Sequence, residues 1–201
     1  MTARLLRALL LVPALLAGSL AQAFDLDQLA AQLGKPAVVR GPFVQEKHLR
    51  ALPRPLTSEG HFVLSREQGL LWLLEKPLQQ DYRIGAAGIA RRVDGHWQAQ
   101  PGQDVAAQQS RLFLAVLKGD HQGLARDFQL QLSGDAAHWQ LQLTPNSLLL
   151  KQIFSAIQIQ GGALVERIEL RETQGDSTVL RLPASEAGDA LDAAEARDLA
   201  P

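Results

Sequence analysis

The chain has 201 residues, with 20 Lys and Arg against 21 Asp and Glu and a formal net charge of −1. So even a balance excludes a nucleic-acid binder that works by neutralising phosphates and argues against tight docking on anionic membranes. There is no cysteine, which excludes disulfides, thiolate nucleophiles, Cys-based metal sites and lipid attachment at a cysteine behind a signal peptide.

Residues 1–23 read as a cleavable signal peptide. Arg4 and Arg7 form its positive start, Ala8–Ala17 a ten-residue apolar run, and Ala21-Gln22-Ala23 a small-x-small cleavage signal. The apolar run is short for a bilayer span. Cleavage would make Phe24 the mature start. It would leave 178 of the 201 residues and remove two arginines, so that 18 basic groups face 21 acidic ones, a charge of −3. That length suits one domain with a full core, expected over residues 24–183.

Leu26, Leu29, Ala30 and Leu33 make one apolar stripe at helical spacing, with Asp25 or Asp27 able to cap its start and Gly34 and Pro36 to end it. Strand patterns then dominate. Val38–Leu49 is a first strand in which Gly41-Pro42 implies a sheet edge or a bulge. Pro53 and Pro55 place an open loop between residues 51 and 57. His61–Ser65 and Leu70–Leu74 form a hairpin through Arg66-Glu67-Gln68-Gly69, and Tyr82–Gly85 and Ile89–Val93 a second one. Asp94-Gly95 turns the chain into His96–Gln98.

Asp104–Lys118 breaks this pattern, because Leu112, Phe113, Val116 and Leu117 share a helical face that Gly119 closes. Alternation resumes with Phe128, Leu130 and Leu132, then Trp139, Leu141 and Leu143, around a turn at Ser133-Gly134-Asp135. Ile153–Gln160, Val165–Glu172 and Thr178–Leu182 continue the meander. Residues 184–201 are rich in Ala, Asp and Glu and carry no aromatic residue. A short exposed helix around residues 187–199 is one reading of them; composition favours a flexible tail.

These elements predict a mainly β fold with helices (α+β). A strongly curved antiparallel sheet of about ten to eleven strands would form an incomplete barrel, covered by two amphipathic helices acting as a lid. Leu70-Leu71-Trp72-Leu73-Leu74 is apolar on both strand faces. One face serves the interior; the other must meet helices, a partner or a ligand, or belong to a doubly covered central strand.

The chemistry of catalysis is missing. His48, His61, His96, His121 and His138 stand in no metal-ligand spacing, and Asp120-His121 is an isolated pair. No serine sits in a G-x-S-x-G elbow, and no glycine loop joins a strand to a helix as phosphate binding requires. The expectation is no enzyme, no catalytic residue, no metal and no cofactor.

Gly41, Phe43, Gln45, Gly60, Arg66, Trp72 and Pro77 follow one another at a spacing similar to that of the LolA-type outer-membrane lipoprotein carriers. Leu143-Thr144-Pro145 and the hairpin of residues 154–172 also resemble that family, and the likeness covers about residues 24–182. It implies a periplasmic carrier that holds the acyl chains of a lipoprotein or other lipid. An inner-membrane export complex would be its donor and an outer-membrane receptor its acceptor. A monomer with no nucleic-acid partner is expected. The missing lipid-attachment cysteine separates such a mobile carrier from the anchored receptor of the same fold. The alternative is an accessory or sensor module of that fold, which binds lipid or lipoprotein without transferring it or serves a membrane glycolipid or pigment pathway.

Strand parity points Phe43, Phe62, Leu64, Trp72, Leu74, Ile84, Leu130, Trp139 and Leu141 inward, and helical periodicity adds Phe113 and Leu117. The resemblance implies that these line the acyl cavity. It assigns Arg66 the part of a latch that bonds helix carbonyls and holds the lid shut. The family's hairpin pattern is altered at residues 87–92, where Arg91-Arg92 reads as a docking patch or a solvated strand edge.

Overall fold

The computed structural model describes residues 24–100, 112 and 114–200. Among the described residues, five helices and twelve strands follow in chain order. Helix α1 (Leu26–Gly34) opens on a capping box, in which Asp25 accepts from the Gln28 amide at 2.8 Å and Gln28 accepts from the Asp25 amide at 3.2 Å. Strands β1 (Val38–His48), β2 (Leu56–Ser65), β3 (Gly69–Lys76), β4 (Gln80–Gly85), β5 (Gly88–Val93) and β6 (His96–Ala99) form an antiparallel meander. Helix α2 is seen at residues 112 and 114–118 and ends at Gly119, whose φ of +70° suits glycine. The remainder of the expected 104–118 helix, including Phe113, lies outside the described residues. Helix α3 (His121–Asp127) follows at once.

The second meander comprises β7 (Phe128–Gly134), β8 (Trp139–Pro145), β9 (Phe154–Gly161), β10 (Val165–Glu172) and β11 (Ser177–Arg181), with α4 (Leu148–Ile153) between β8 and β9. The strand order is β6-β5-β4-β3-β2-β1-β11-β10-β9-β8-β7. The two meanders therefore join at β1 and β11 in the middle, and β6 and β7 are the open edges. Ile84 and Ile89 near one edge and Leu130 and Leu132 at the other pack into the same core, so the sheet curls around it. Leu29 and Leu33 of α1, Val116 and Leu117 of α2 and Leu124 of α3 close that core from the concave side.

Two features correct the sequence reading. Strand β1 is no edge, because it pairs with β2 along ten residues. On its other flank it pairs with β11 at Val44–His48 and with β12 (Glu186–Gly188) at Val38–Arg40. Gly41-Pro42 falls in the gap between those ladders, where Ala184 and Ser185 bulge past; a Cβ on Gly41 would stand 2.8 Å from the Ala184 carbonyl oxygen. The second correction concerns the expected flexible tail. Residues 184–200 contribute β12 and α5 (Ala193–Leu199), and Leu199 is only 3% exposed. The sequence also concealed α3 and α4, which are single turns or little more and too short to show periodicity.

That ordered tail accounts for the run at Leu70–Leu74. Leu70, Trp72 and Leu74 face the concave core. Leu71 and Leu73 face outward with Val38, Val63 and Trp97, and are covered by Leu191 and Leu199 from the tail. Strand β3 is thus doubly covered, by the lid side of the molecule within and by the C-terminal segment without.

Glu75 is the extra residue where β3 bulges against β2, and Gly60 opposite gives the room, since a Cβ there would lie 2.0 Å from the Leu73 carbonyl oxygen. Gly60→Ala is expected to cost roughly 2 kcal/mol or more, read as a lower urea midpoint with an unchanged slope. A pH dependence also follows. Arg171, with Arg167, holds the Glu169 carboxyl below its usual range, and Arg181 does the same for Glu46. Their folded values are depressed, so the stabilisation is present above the unfolded value near 4.3 and fades as pH falls through the folded values. Urea midpoints should hold between about pH 7 and pH 5 and drop between about pH 4 and pH 3.

Candidate functional site

The concave face is built on an aromatic floor. Phe43 is paired with Gly60, and Phe62 with Trp72. Trp72 stacks on Phe43 across the intervening strand, with centroids 3.8 Å apart and planes 19° apart, and it meets Phe62 at 6.3 Å. Phe43, Phe62, Leu64, Trp72, Leu74, Ile84, Leu117, Leu130, Trp139 and Leu141 share one core cluster with the lid helices. The nine candidates placed by strand parity line the concave face, and Leu117, placed by helical periodicity, packs on them from the lid; Phe113 lies outside the described residues.

Polar contacts fasten the lid at its seams. The Arg66 guanidinium, from the β2–β3 turn, donates to the Leu33 carbonyl at 2.7 Å, to Lys118 at 3.3 Å and to Pro36 at 3.4 Å. Leu33 and Lys118 sit in the last turns of α1 and α2, where carbonyls lack helical partners and the helix dipole is negative. One side chain thereby ties two helix ends to the sheet. Burial, and then the neighbouring Arg66 charge, push the Lys118 ammonium below the ordinary lysine value. The seam therefore keeps two cations in close company.

Sequence reasoning missed the opposite seam. Gln32 of α1 donates to the Gly162 carbonyl at 2.6 Å and to Ala136 at 3.2 Å. The buried Trp139 indole donates to the same Gly162 carbonyl at 2.7 Å. A Cβ on Gly161 would stand 2.7 Å from the Trp139 ring, so the close turn at Gly161-Gly162 depends on glycine there. No sequence signal singled out Gln32, which is one of three polar residues of α1 with Asp27 and Gln28. His121 of α3 lies 3.0 Å from Asp27 of α1 and links the two helices. Asp120 caps α3 by accepting from the Gly123 amide at 2.9 Å. The Asp120-His121 pair therefore has structural employment. Among the described residues no group of His, Asp and Glu could hold a metal ion.

Among the described residues the concave core is closely packed. Voids of about 20 Å³ under Leu29 and Trp139 and about 10 Å³ under Phe62 and Leu117 remain, each with room for about one water molecule. A larger groove of about 390 Å³ opens at the mouth, among Leu112, Leu124, Phe128, Leu149, Leu150 and Phe154. Its lip is α4, where Leu148 is 81% exposed and Leu149 57%. None of the ten described cavity candidates lines this groove. It is made by α2, α3 and α4, and the last two are the elements that carried no sequence signal.

Removing the Arg66 guanidinium should free both helix ends while leaving the floor intact. Arg66→Leu is expected to lose roughly 1–3 kcal/mol of stability. Hydrogen exchange should quicken in α1 and α2 and stay unchanged in β8–β10. Uniform quickening across the sheet would show that Arg66 supports the whole fold and not the lid alone.

Comparison with known proteins sets this architecture in context. Residues 17–200 match the family model described as outer membrane lipoprotein carrier protein LolA-like. A LolA superfamily protein from Nitrosomonas europaea superposes with a TM-score of 0.51 at 8% identity, covering 86% of this chain and 97% of that one. At that identity the likeness speaks for the fold alone. The MucA/MucB complex of Pseudomonas aeruginosa aligns with a TM-score of 0.47 at 18% identity, over 88% of this chain and 59% of that one. A putative outer membrane lipoprotein-sorting protein domain from Vibrio parahaemolyticus aligns with a TM-score of 0.46 at 10% identity, over 88% and 97%. No curated protein matches in sequence.

Proposed function

From the premise that this chain belongs to the LolA-like outer membrane lipoprotein carrier family, we propose that it is a periplasmic carrier. It would hold the acyl chains of a lipoprotein or other lipid between the curved sheet and its helical lid. The observation that carries this reading is the Arg66 fork, which ties the ends of α1 and α2 to the sheet over an apolar floor. Helix-end carbonyls need partners in any closed state, and water can replace this fastening when the lid opens. A pocket that must open and close needs one that is strong enough to hold and weak enough to release.

The energetics suit the task. Each buried methylene contributes about 0.8 kcal/mol, so twelve would contribute on the order of 10 kcal/mol. That gain exceeds the few kcal/mol of the lid's hydrogen bonds, so cargo can hold the lid open. Cargo would enter by the groove beside α4, whose exposed Leu148 and Leu149 offer a first apolar contact, and displace α1 and α2 from the aromatic floor. Residues 1–23 would direct export and be removed, with Phe24 as the mature start and residues 24–183 as the carrier domain. Cargo would pass from an inner-membrane donor complex to an outer-membrane acceptor. Nothing in the site calls for a cofactor or for bond-making chemistry.

The test is lipid extraction and mass spectrometry on protein taken from a native-like periplasm without detergent, with intact mass checking the mature start. Stoichiometric acylated cargo is expected, and its head group would tell lipoprotein from glycolipid. The fork is made in the closed, empty state and broken in the loaded one, so Arg66→Leu should hold cargo about tenfold more tightly and release it more slowly, the equivalent of about 1.4 kcal/mol. Protein that is empty and also refuses a fluorescent fatty acid would sink the carrier reading. Binding without transfer to acceptor membranes would favour the accessory or sensor module.

A further inference from the structure

The convex face of the sheet carries a second apolar surface, separate from the lid and its groove. Val38, Val63, Leu71, Leu73 and Trp97 form a stripe across β1, β2, β3 and β6. Arginines surround it. Arg92 lies 4.3 Å over the Trp97 ring and Arg83 5.3 Å from it, while Arg40 stands on β1. In this structure the chain's own C-terminal segment covers the stripe.

That covering pairs β12 with β1 over three residues, and beyond β12 it is carried by ion pairs and two leucines. From Glu186 to Asp198 an acid recurs at every third position: Glu186, Asp189, Asp192, Glu195 and Asp198. Against these five acids the segment has one base, Arg197. Glu195 meets Arg40 at 2.8 Å and Asp198 meets Arg92 at 2.6 Å. Asp81 shares Arg92 at 2.8 Å, and Arg83 donates to the Ala200 carbonyl. Glu195, Asp198 and Leu199 lie on one face of α5 at i, i+3 and i+4. Of the segment's side chains, only Leu191 and Leu199 join the apolar cluster. A seven-residue helix has no stability of its own in water, and partly exposed ion pairs contribute little each and weaken in salt. The surface beneath is the better-built half of this contact: a rigid sheet bearing five apolar side chains and three arginines.

We propose that residues 186–200 are a displaceable strap, seated on a docking surface whose other occupant is an acidic, leucine-bearing amphipathic helix of a partner protein. The strap shows the chemistry the surface selects: carboxylates one helical turn apart, flanking a leucine. While seated it shields Trp97 and its neighbours from water and sets a threshold that a partner must exceed, because a tethered competitor acts at high effective concentration. Partner docking on the convex face is thereby kept apart from cargo binding on the concave one. This holds whatever the cargo is.

Hydrogen exchange on the whole chain tests the strap without any variant. The amides of α5 should exchange about a hundredfold faster than those of β1–β3 beneath them, and about threefold faster again when salt rises from about 0.05 M to about 1 M. The full-length Asp198→Lys chain should then bind a synthetic peptide of residues 186–201, shifting the tryptophan emission. Adding Arg92→Glu to that chain should restore strap protection and exclude the peptide. If α5 exchanges in step with β1–β3 at both salt concentrations, it is an integral part of the fold and the proposal fails. A folded Asp198→Lys chain that ignores the peptide would overturn the docking surface.

Discussion

One topological constraint governs this molecule. Strands β6 and β7 are consecutive in the chain, yet they lie at opposite edges of the sheet. The connection between them must therefore cross from one edge to the other. Its described part, helices α2 and α3, lies on the concave side. The lid is thus a consequence of strand order. The curled sheet brings its two edges near a common core, so a connection of modest length can bridge them while burying Val116, Leu117 and Leu124. Helix α1, entering before β1, completes the cover.

A lid placed by topology still has to be fastened, and the fastening is polar where the floor is apolar. Arg66 takes the helix-end carbonyls of α1 and α2, and Gln32 takes the Gly162 carbonyl that Trp139 already holds. Backbone carbonyls in a last helical turn need partners in any closed state. In an opened state water can supply them, so the net contribution of each bond is modest. An acyl chain repays its burial through many methylenes at once. This difference in scale suits a container that is closed when empty and opened by its contents. Among the described residues, the small voids under Leu29 and Trp139 and under Phe62 and Leu117 fit a closed state. The groove beside α4 marks where opening would begin.

The outer face follows a different logic. Strand β3 is apolar on both sides, and the sheet alone leaves its convex side bare. A segment of Ala, Asp and Glu has little hydrophobic reason to fold. It is ordered because Arg40, Arg83 and Arg92 meet its acids and because Leu191 and Leu199 fit the stripe. The same observation explains Arg92. Arg92 is neither a solvated strand edge nor an open patch; it is held by Asp81, Asp198 and the face of Trp97.

Local pattern determined much of this protein. Period-2 alternation located the principal strands, helical spacing located α1, and glycine-bearing turns set their hairpins, because these signals arise from neighbours in sequence. The order of Gly41, Phe43, Gly60, Arg66 and Trp72 was enough to suggest the family and the latch position. The tertiary structure alone decided the rest. It decided that Gly41-Pro42 lies in a central strand, because the gap between β11 and β12 occurs only once both are paired with β1. It decided the mouth groove, because α3 and α4 are too short to announce themselves and gain their stability from the elements they touch. And it decided the fate of the C-terminal segment, because an acidic stretch has no fold of its own until folding gathers arginines from β1, β4 and β5 on one face.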